Sequence, residues 1–214
     1  MAETYPLTMP DFGIASVEFS FVNVTPMVTS PFTLATQAQR FKGGRFEAVV
    51  TFPPMKRDQA EEVISFLLRL KGRYGTFLLG DPSATTARGA VKDDSSTITM
   101  DAIYTFLNQL DAGSDEMAIT SSGVTTATDY VKAGDYFQIG TGADARLHKI
   151  VANADLASHD TTIKFHPETR QSYYGEELEF TNPKGVFRLD SDSVNWSVNN
   201  ASIYGLSFRA VEVI

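Results

Sequence analysis

The chain has no cysteine in its 214 residues. Disulfides, thiolate metal sites and thiol nucleophiles are therefore excluded, and the redox compartment cannot be inferred. Histidine is scarce. His148, His159 and His166 are the only three, and none stands at metal-ligand spacing with a second histidine or a carboxylate on a predicted helix. Long apolar runs are missing too: the most apolar window, Val63 to Leu79, is broken by Arg69, Lys71 and Arg73. The first residues, Met1 to Pro6, lack a basic segment followed by an apolar one, so the expectation is a soluble chain without membrane span or signal peptide. Positive charge is in deficit, with 18 Lys and Arg against 26 Asp and Glu and a net charge of −8. That balance argues against general nucleic-acid binding, which needs basic side chains to displace counterions from phosphate.

Signatures of catalysis are equally sparse. No serine lies in a Gly-x-Ser-x-Gly elbow, so acyl transfer has no marked nucleophile. The run from Gly140 to Asp144 has the glycines of a phosphate loop but not its Lys-Ser/Thr ending, and it precedes a strand rather than a helix. It reads as a hairpin turn. Carboxylates cluster at Asp93-Asp94, Asp115-Glu116, Glu176-Glu177 and Asp190 with Asp192; turns and solvated faces account for these more simply than a glycosidase pair or a calcium loop. His148 falls in a predicted strand, where a paired, partly buried side chain is the simpler reading. No catalytic, cofactor-binding or metal-binding residue is assigned. Tyr136, Tyr173, Tyr174 and Trp196 have the rings of a carbohydrate platform, although in a β protein aromatics serve first in core and cross-strand packing.

The chain does carry strong period-two patterning. From Ile14 to Val24, Val17, Phe19 and Phe21 alternate with Ser16, Glu18 and Ser20, the pattern of a half-buried strand. Thr33 to Phe41 and Arg45 to Phe52 read as the arms of a hairpin around Lys42-Gly43-Gly44, since glycine accepts the positive φ of tight turns. The basic tip of that hairpin, Lys42, Gly43, Gly44 and Arg45, is expected to project and is the candidate assembly contact. After Pro53-Pro54 the spacing becomes helical: Ala60, Val63, Ile64, Leu67 and Leu68 lie on one face over 58–71, with Gly72 as a left-handed cap. Short strands follow at Thr76 to Leu79, Ser96 to Met100, Met117 to Thr120, Tyr136 to Ile139, Arg146 to Ala152, Thr161 to Phe165, Glu177 to Thr181, Gly185 to Leu189, Val194 to Val198 and Tyr204 to Val213. The charge is uneven, with 93–184 holding most of the carboxylates while the two ends are nearly balanced, which suggests a separate middle unit.

Several segments together are similar to one known family. Ser30-Pro31-Phe32-Thr33 to Gln39, Phe52-Pro53-Pro54-Met55-Lys56-Arg57, Phe66 to Gly72 and Gly75 to Pro82 resemble the distal tail proteins of siphophages, minor proteins of the tail tip. So do Gly134 to Gly140, Arg146 to Lys149, Asn182 to Leu189 and Ile203 to Phe208, whereas Ala84 to Asp129 contributes nothing to the likeness. The resemblance implies a mainly β fold with one helix: a discontinuous barrel or sandwich core of residues 1–83 plus 185–214, interrupted by an inserted small β-barrel-like domain, 84–184. It further implies a non-enzymatic, cofactor-free virion protein. Such a protein is made in the host cytoplasm and forms a homo-hexameric ring between the tail tube protein and the tail-tip hub or baseplate. DNA passes through the ring without sequence-specific contact, and no membrane is involved. A carbohydrate-binding β module of a tail tip is the alternative, to be separated by whether Tyr173 and Tyr174 form an exposed coplanar pair.

Overall fold

The computed structural model describes residues 3–10, 13–100 and 109–214. In chain order β1 (Leu7–Thr8), β2 (Ser16–Val24), β3 (Met27–Thr29), β4 (Thr36–Ala38) and β5 (Phe41–Thr51) precede the helix α1 (Arg57–Arg69) and β6 (Thr76–Leu79). The middle of the chain forms β7 (Ile98–Met100), β8 (Gln109–Leu110), β9 (Glu116–Ser121), β10 (Ala127–Val131), β11 (Tyr136–Ile139), β12 (Arg146–Ile150), β13 (Ala154–Leu156), β14 (Asp160–His166), β15 (Tyr173–Tyr174) and β16 (Leu178–Glu179). The chain ends with β17 (Gly185–Leu189), β18 (Trp196–Val198) and β19 (Tyr204–Glu212). The fold is mainly β, with one α-helix among the described residues, as the patterning predicts.

The first sheet runs β1-β6-β17-β19-β5-β2, with β18 paired to the early part of β19. Both ends of the chain build it. β17 and β19 lie between β6 and β5, so the pairs β1–β6 and β5–β2, all before residue 80, are joined in the sheet only through the last thirty residues. The second sheet runs β16-β11-β12-β14-β9-β7 and nearly closes on itself, because Thr99 bridges Glu177 and the Met100 N–H donates to the Glu176 carbonyl at 3.2 Å. Near-closure of this kind covers most of the free strand edge that would otherwise pair with other chains. Where the chain enters and leaves the barrel, Thr86 bridges Thr181 and the Asn182 N–H donates to Thr85 at 2.6 Å.

Each layer has its own core. Ile119, Tyr130, Phe137, Ile139, Ile163 and Phe165 fill the barrel, while Phe46, Val50, Phe77, Leu79 and Phe187 join the buried side of α1 in the sheet. Full burial of each large apolar side chain contributes about 1.5–3 kcal/mol. β11 and β12 are apolar on both faces. Phe137 and Ile139 point into the barrel, whereas Tyr136 and Leu147, one residue out of phase, pack in the core of the sheet. Phe19 sits at that junction, 6.4 Å from the Tyr136 ring and 6.3 Å from Phe187. The barrel is thus docked on the inward face of the sheet.

Two expectations are corrected. The apolar stripe of α1 buries Ala60, Val63, Ile64 and Leu67 as expected, but Leu68 is 56% exposed and Phe66 is buried instead, edge-on to Phe77 at 5.6 Å. The hairpin turn at Lys42-Gly43-Gly44 does not form either. β5 runs unbroken through these residues and pairs with β2, and the strand expected from Thr33 to Phe41 shrinks to β4. Neither glycine takes a positive φ. Gly44 serves packing instead of turning, since a Cβ there would lie 2.5 Å from the Phe21 ring across the ladder.

Candidate assembly surface

The true turn lies further up the chain. Beyond the β2–β5 ladder, β3 and β4 form a small antiparallel hairpin whose tip is Ser30 to Ala35. The tip is held by its own backbone: Ser30 N–H donates to Ala35 at 2.9 Å, Leu34 N–H donates to Ser30 at 3.0 Å, and Leu34 takes a φ of 56°. Gln39 N–H donating to Pro26 at 3.1 Å closes its base. β3 and β4 pair only with each other, so the hairpin stands out from the sheet as an arm. Its apolar side chains find no core. Phe32 is 95% exposed, Leu34 76%, Val28 71% and Met27 67%. Isolated exposed apolar residues are ordinary, but four on one short arm, Met27 and Val28 on its two faces and Phe32 and Leu34 at its tip, concentrate apolar surface of the kind that marks interaction sites.

Lys42, Gly43, Gly44 and Arg45 sit at the root of this arm, against the barrel. Lys42 Nζ donates to the Gly113 carbonyl at 3.0 Å, and Arg45 pairs with its strand neighbour Glu47 at 2.9 Å. The Gly44 carbonyl accepts from Arg170, whose guanidinium also forms a bidentate pair with Glu212 at 2.9 and 3.0 Å. The Glu212 side chain is 1% exposed and accepts from Phe46 N–H at 2.9 Å as well, so the pair ties β19, β5 and the barrel together. Arg40 with Glu168 at 2.7 Å and the ring of Phe21 edge-on to His166 at 4.3 Å extend the same seam. Burial, and then the nearby Arg40 charge, push the His166 pKa below its ordinary value.

The other candidate residues occupy structural roles. His148 is buried in the barrel, stacked on Phe137 at 5.3 Å, with Nδ1 donating to the Pro167 carbonyl at 2.8 Å. Burial pushes its pKa down to about 3, so the ring is neutral. His159 hydrogen-bonds the Ser121 carbonyl and the Thr125 hydroxyl. Of the carboxylate clusters, Asp94 is the one embedded: it accepts from Ser121 and Tyr130 hydroxyls at 2.6 Å each and from Ser96 N–H at 2.9 Å. Burial opposes its ionisation, but hydrogen bonds from the hydroxyls of Ser121, Ser96 and Tyr130 and from the Ser96 N–H outweigh that and lower its pKa. No family model matches the chain, and no curated protein matches it. Tyr173 is buried while Tyr174 is exposed, as strand alternation requires, so the two do not form a coplanar platform. Tyr136 is buried as well. Sequence reasoning missed Met27, Val28, Phe32 and Leu34, although Phe32 and Leu34 stood in one of the family-like segments.

Proposed function

We propose that the chain is a structural virion protein of the distal-tail type, assembling as a ring, expected to be a homo-hexamer, that joins a phage tail tube to the hub or baseplate of the tail tip. The observation that carries this reading is the arm at residues 26–39. A protein working alone in water has no use for a phenylalanine 95% exposed on an apolar arm, whereas a subunit interface supplies the missing neighbours. The family-like segments support it from another side. Those around Pro53, Leu67, Phe77, Phe187 and Leu206 are far apart in sequence yet meet in one sheet-and-helix layer, and those at Tyr136 and Leu147 pack onto it. The resemblance therefore follows a spatial unit. Sedimentation and negative-stain electron microscopy of the pure protein over a concentration series test the reading. Closed rings are expected; a chain that stays monomeric at every concentration would refute it.

A further inference from the structure

A second apolar surface lies at the other end of the same strand. The C-terminal end of β5 and the β18–β19 hairpin enclose an open groove of about 880 Å³, lined by Phe52, Pro54, Trp196, Val198, Ile203 and Tyr204. Trp196, Val198 and Ile203 are 46%, 51% and 40% exposed. We propose that the arm of one copy seats in this groove of the next copy, head to tail, an inference that rests on the ring-building reading and names the contact that makes the ring.

Three observations converge on a second copy as the occupant. The first is electrostatic. No charged residue occurs between Glu18 and Arg40 or between Asp192 and Arg209, the two longest charge-free runs of the chain; one contains the arm and the other supplies most of the groove. Joining them strips water from no charge, and charge depletion is the compositional mark of an interface core. The second is placement. Phe41, at the root of the arm, and Thr51, at the groove, end the eleven-residue β5, and a rise of about 3.3 Å per residue sets them about 30 Å apart. One copy therefore leaves both surfaces open. A patch that meets a different patch makes a heterologous contact, which repeats around an axis and can close into a ring. The third is size. Phe32 and Leu34, with whichever of Met27 and Val28 shares their face, remove on the order of 400 Å² from water, about half of the roughly 800 Å² per partner of a specific interface, and the arm backbone adds to it. Backbone pairing is open to both sides, since β18 bonds only β19 and the arm strands bond only each other.

The chain lacks cysteine, which makes cross-linking clean. Phe32→Cys and Val198→Cys, prepared separately, mixed and oxidised, are expected to give a disulfide-linked dimer, and the doubly substituted chain a ladder. Cross-linking of Phe32→Cys to itself as readily as to Val198→Cys would overturn the head-to-tail contact. A second experiment uses an arm variant, Phe32→Asp with Leu34→Asp, and a groove variant, Val198→Asp with Ile203→Asp. Each changes exposed residues and is expected to weaken association by about 30-fold or more, the loss typical of an interface hot spot. Mixed together they retain one intact joint per pair and should form heterodimers and nothing larger. If the arm variant assembles like the parent chain, or the mixture yields no heterodimer although the parent forms rings, the contact is wrong and the ring reading survives. A parent chain that never associates would sink both.

Discussion

Acid should weaken this fold through one residue buried in the barrel. His148 has a folded-state pKa of about 3 against 6.5 for the free side chain. A base whose pKa is lowered by folding binds fewer protons in the folded state, so its contribution to stability is complete above about pH 6.5 and is lost as pH falls from there toward 3. At pH 5 the unfolded chain gains roughly 2 kcal/mol by protonating this one ring, obtained from RT times the logarithm of its proton-binding ratio. For a chain of this length that corresponds to a fall in Tm of about 4–8 °C. The variant His148→Asn keeps a donor where Nδ1 reaches Pro167 but cannot take up a proton. It should be less stable at pH 7.5, because the stacking on Phe137 is lost, yet its stability should fall less between pH 7.5 and 5 by roughly 2 kcal/mol, read from urea unfolding at several pH values. His166, whose pKa is lowered too, acts with the same sign in both proteins and cancels in the difference. Equal pH slopes for the two proteins would mean that His148 takes up a proton in the folded state, and the reasoning from burial would fail.

Other perturbations separate the remaining structural claims. Arg170→Met leaves the Glu212 carboxylate buried with a single N–H donor and should cost about 3–5 kcal/mol, whereas adding Glu212→Leu should recover most of it in a double-mutant cycle. Gly44→Ala should cost about 1–3 kcal/mol through the Phe21 ring, while Gly43→Ala, meeting only Val24 at 3.6 Å, should be nearly neutral in denaturant melts; a turn there would make both harmful. Deleting 185–214 removes the two strands between β6 and β5, so the remaining sheet should aggregate or be digested by protease, while a fragment near 84–184 is expected to stay soluble and protease-resistant. Cooperative folding of 1–92 alone would contradict the shared sheet.

What could be read from the sequence was set by how local the signal is. β6, β11 and β17 match their expected bounds because each is a short, mostly apolar run set off by turn-forming residues, and of the three only β6 alternates cleanly. The helix was legible from its spacing at period 3.6. Strands β10 and β13 were not seen: Ala127–Val131 and Ala154–Leu156 are short, and their pairing with each other shifts register. The Gly43-Gly44 error has a different cause. Two adjacent glycines signal a turn only if the backbone needs positive φ, and here the demand comes from the Phe21 ring of a strand more than twenty residues away. Burial of Glu212 and exposure of Phe32 are likewise decided by tertiary neighbours.

Misplacing the tip by ten residues also changes what the basic segment does. A projecting Lys42 and Arg45 would have met a partner through charge, a contact weakened by salt and worth little at an exposed surface. Instead Lys42 and Gly44 lock the root of the arm to the barrel through Gly113 and Arg170, and Arg170 carries that lock to Glu212 on β19. β19 pairs with β5 along one half and with β18, the wall of the groove, along the other. Arm, barrel and groove are therefore bound to the same pair of strands. A neighbour that grips the arm and another that fills the groove would each hold the barrel at a fixed angle to the ring, because Gly44 and Leu206 lie on β5 and β19, which pair directly with each other. On this reasoning Arg170→Met should loosen more than the fold: assembled rings of the variant should blur the barrel in averaged electron-microscopy images while the ring of sheets stays sharp. Equal sharpness in both layers would show that the tight Tyr136 and Leu147 packing alone fixes the barrel, and that the buried pair serves stability only.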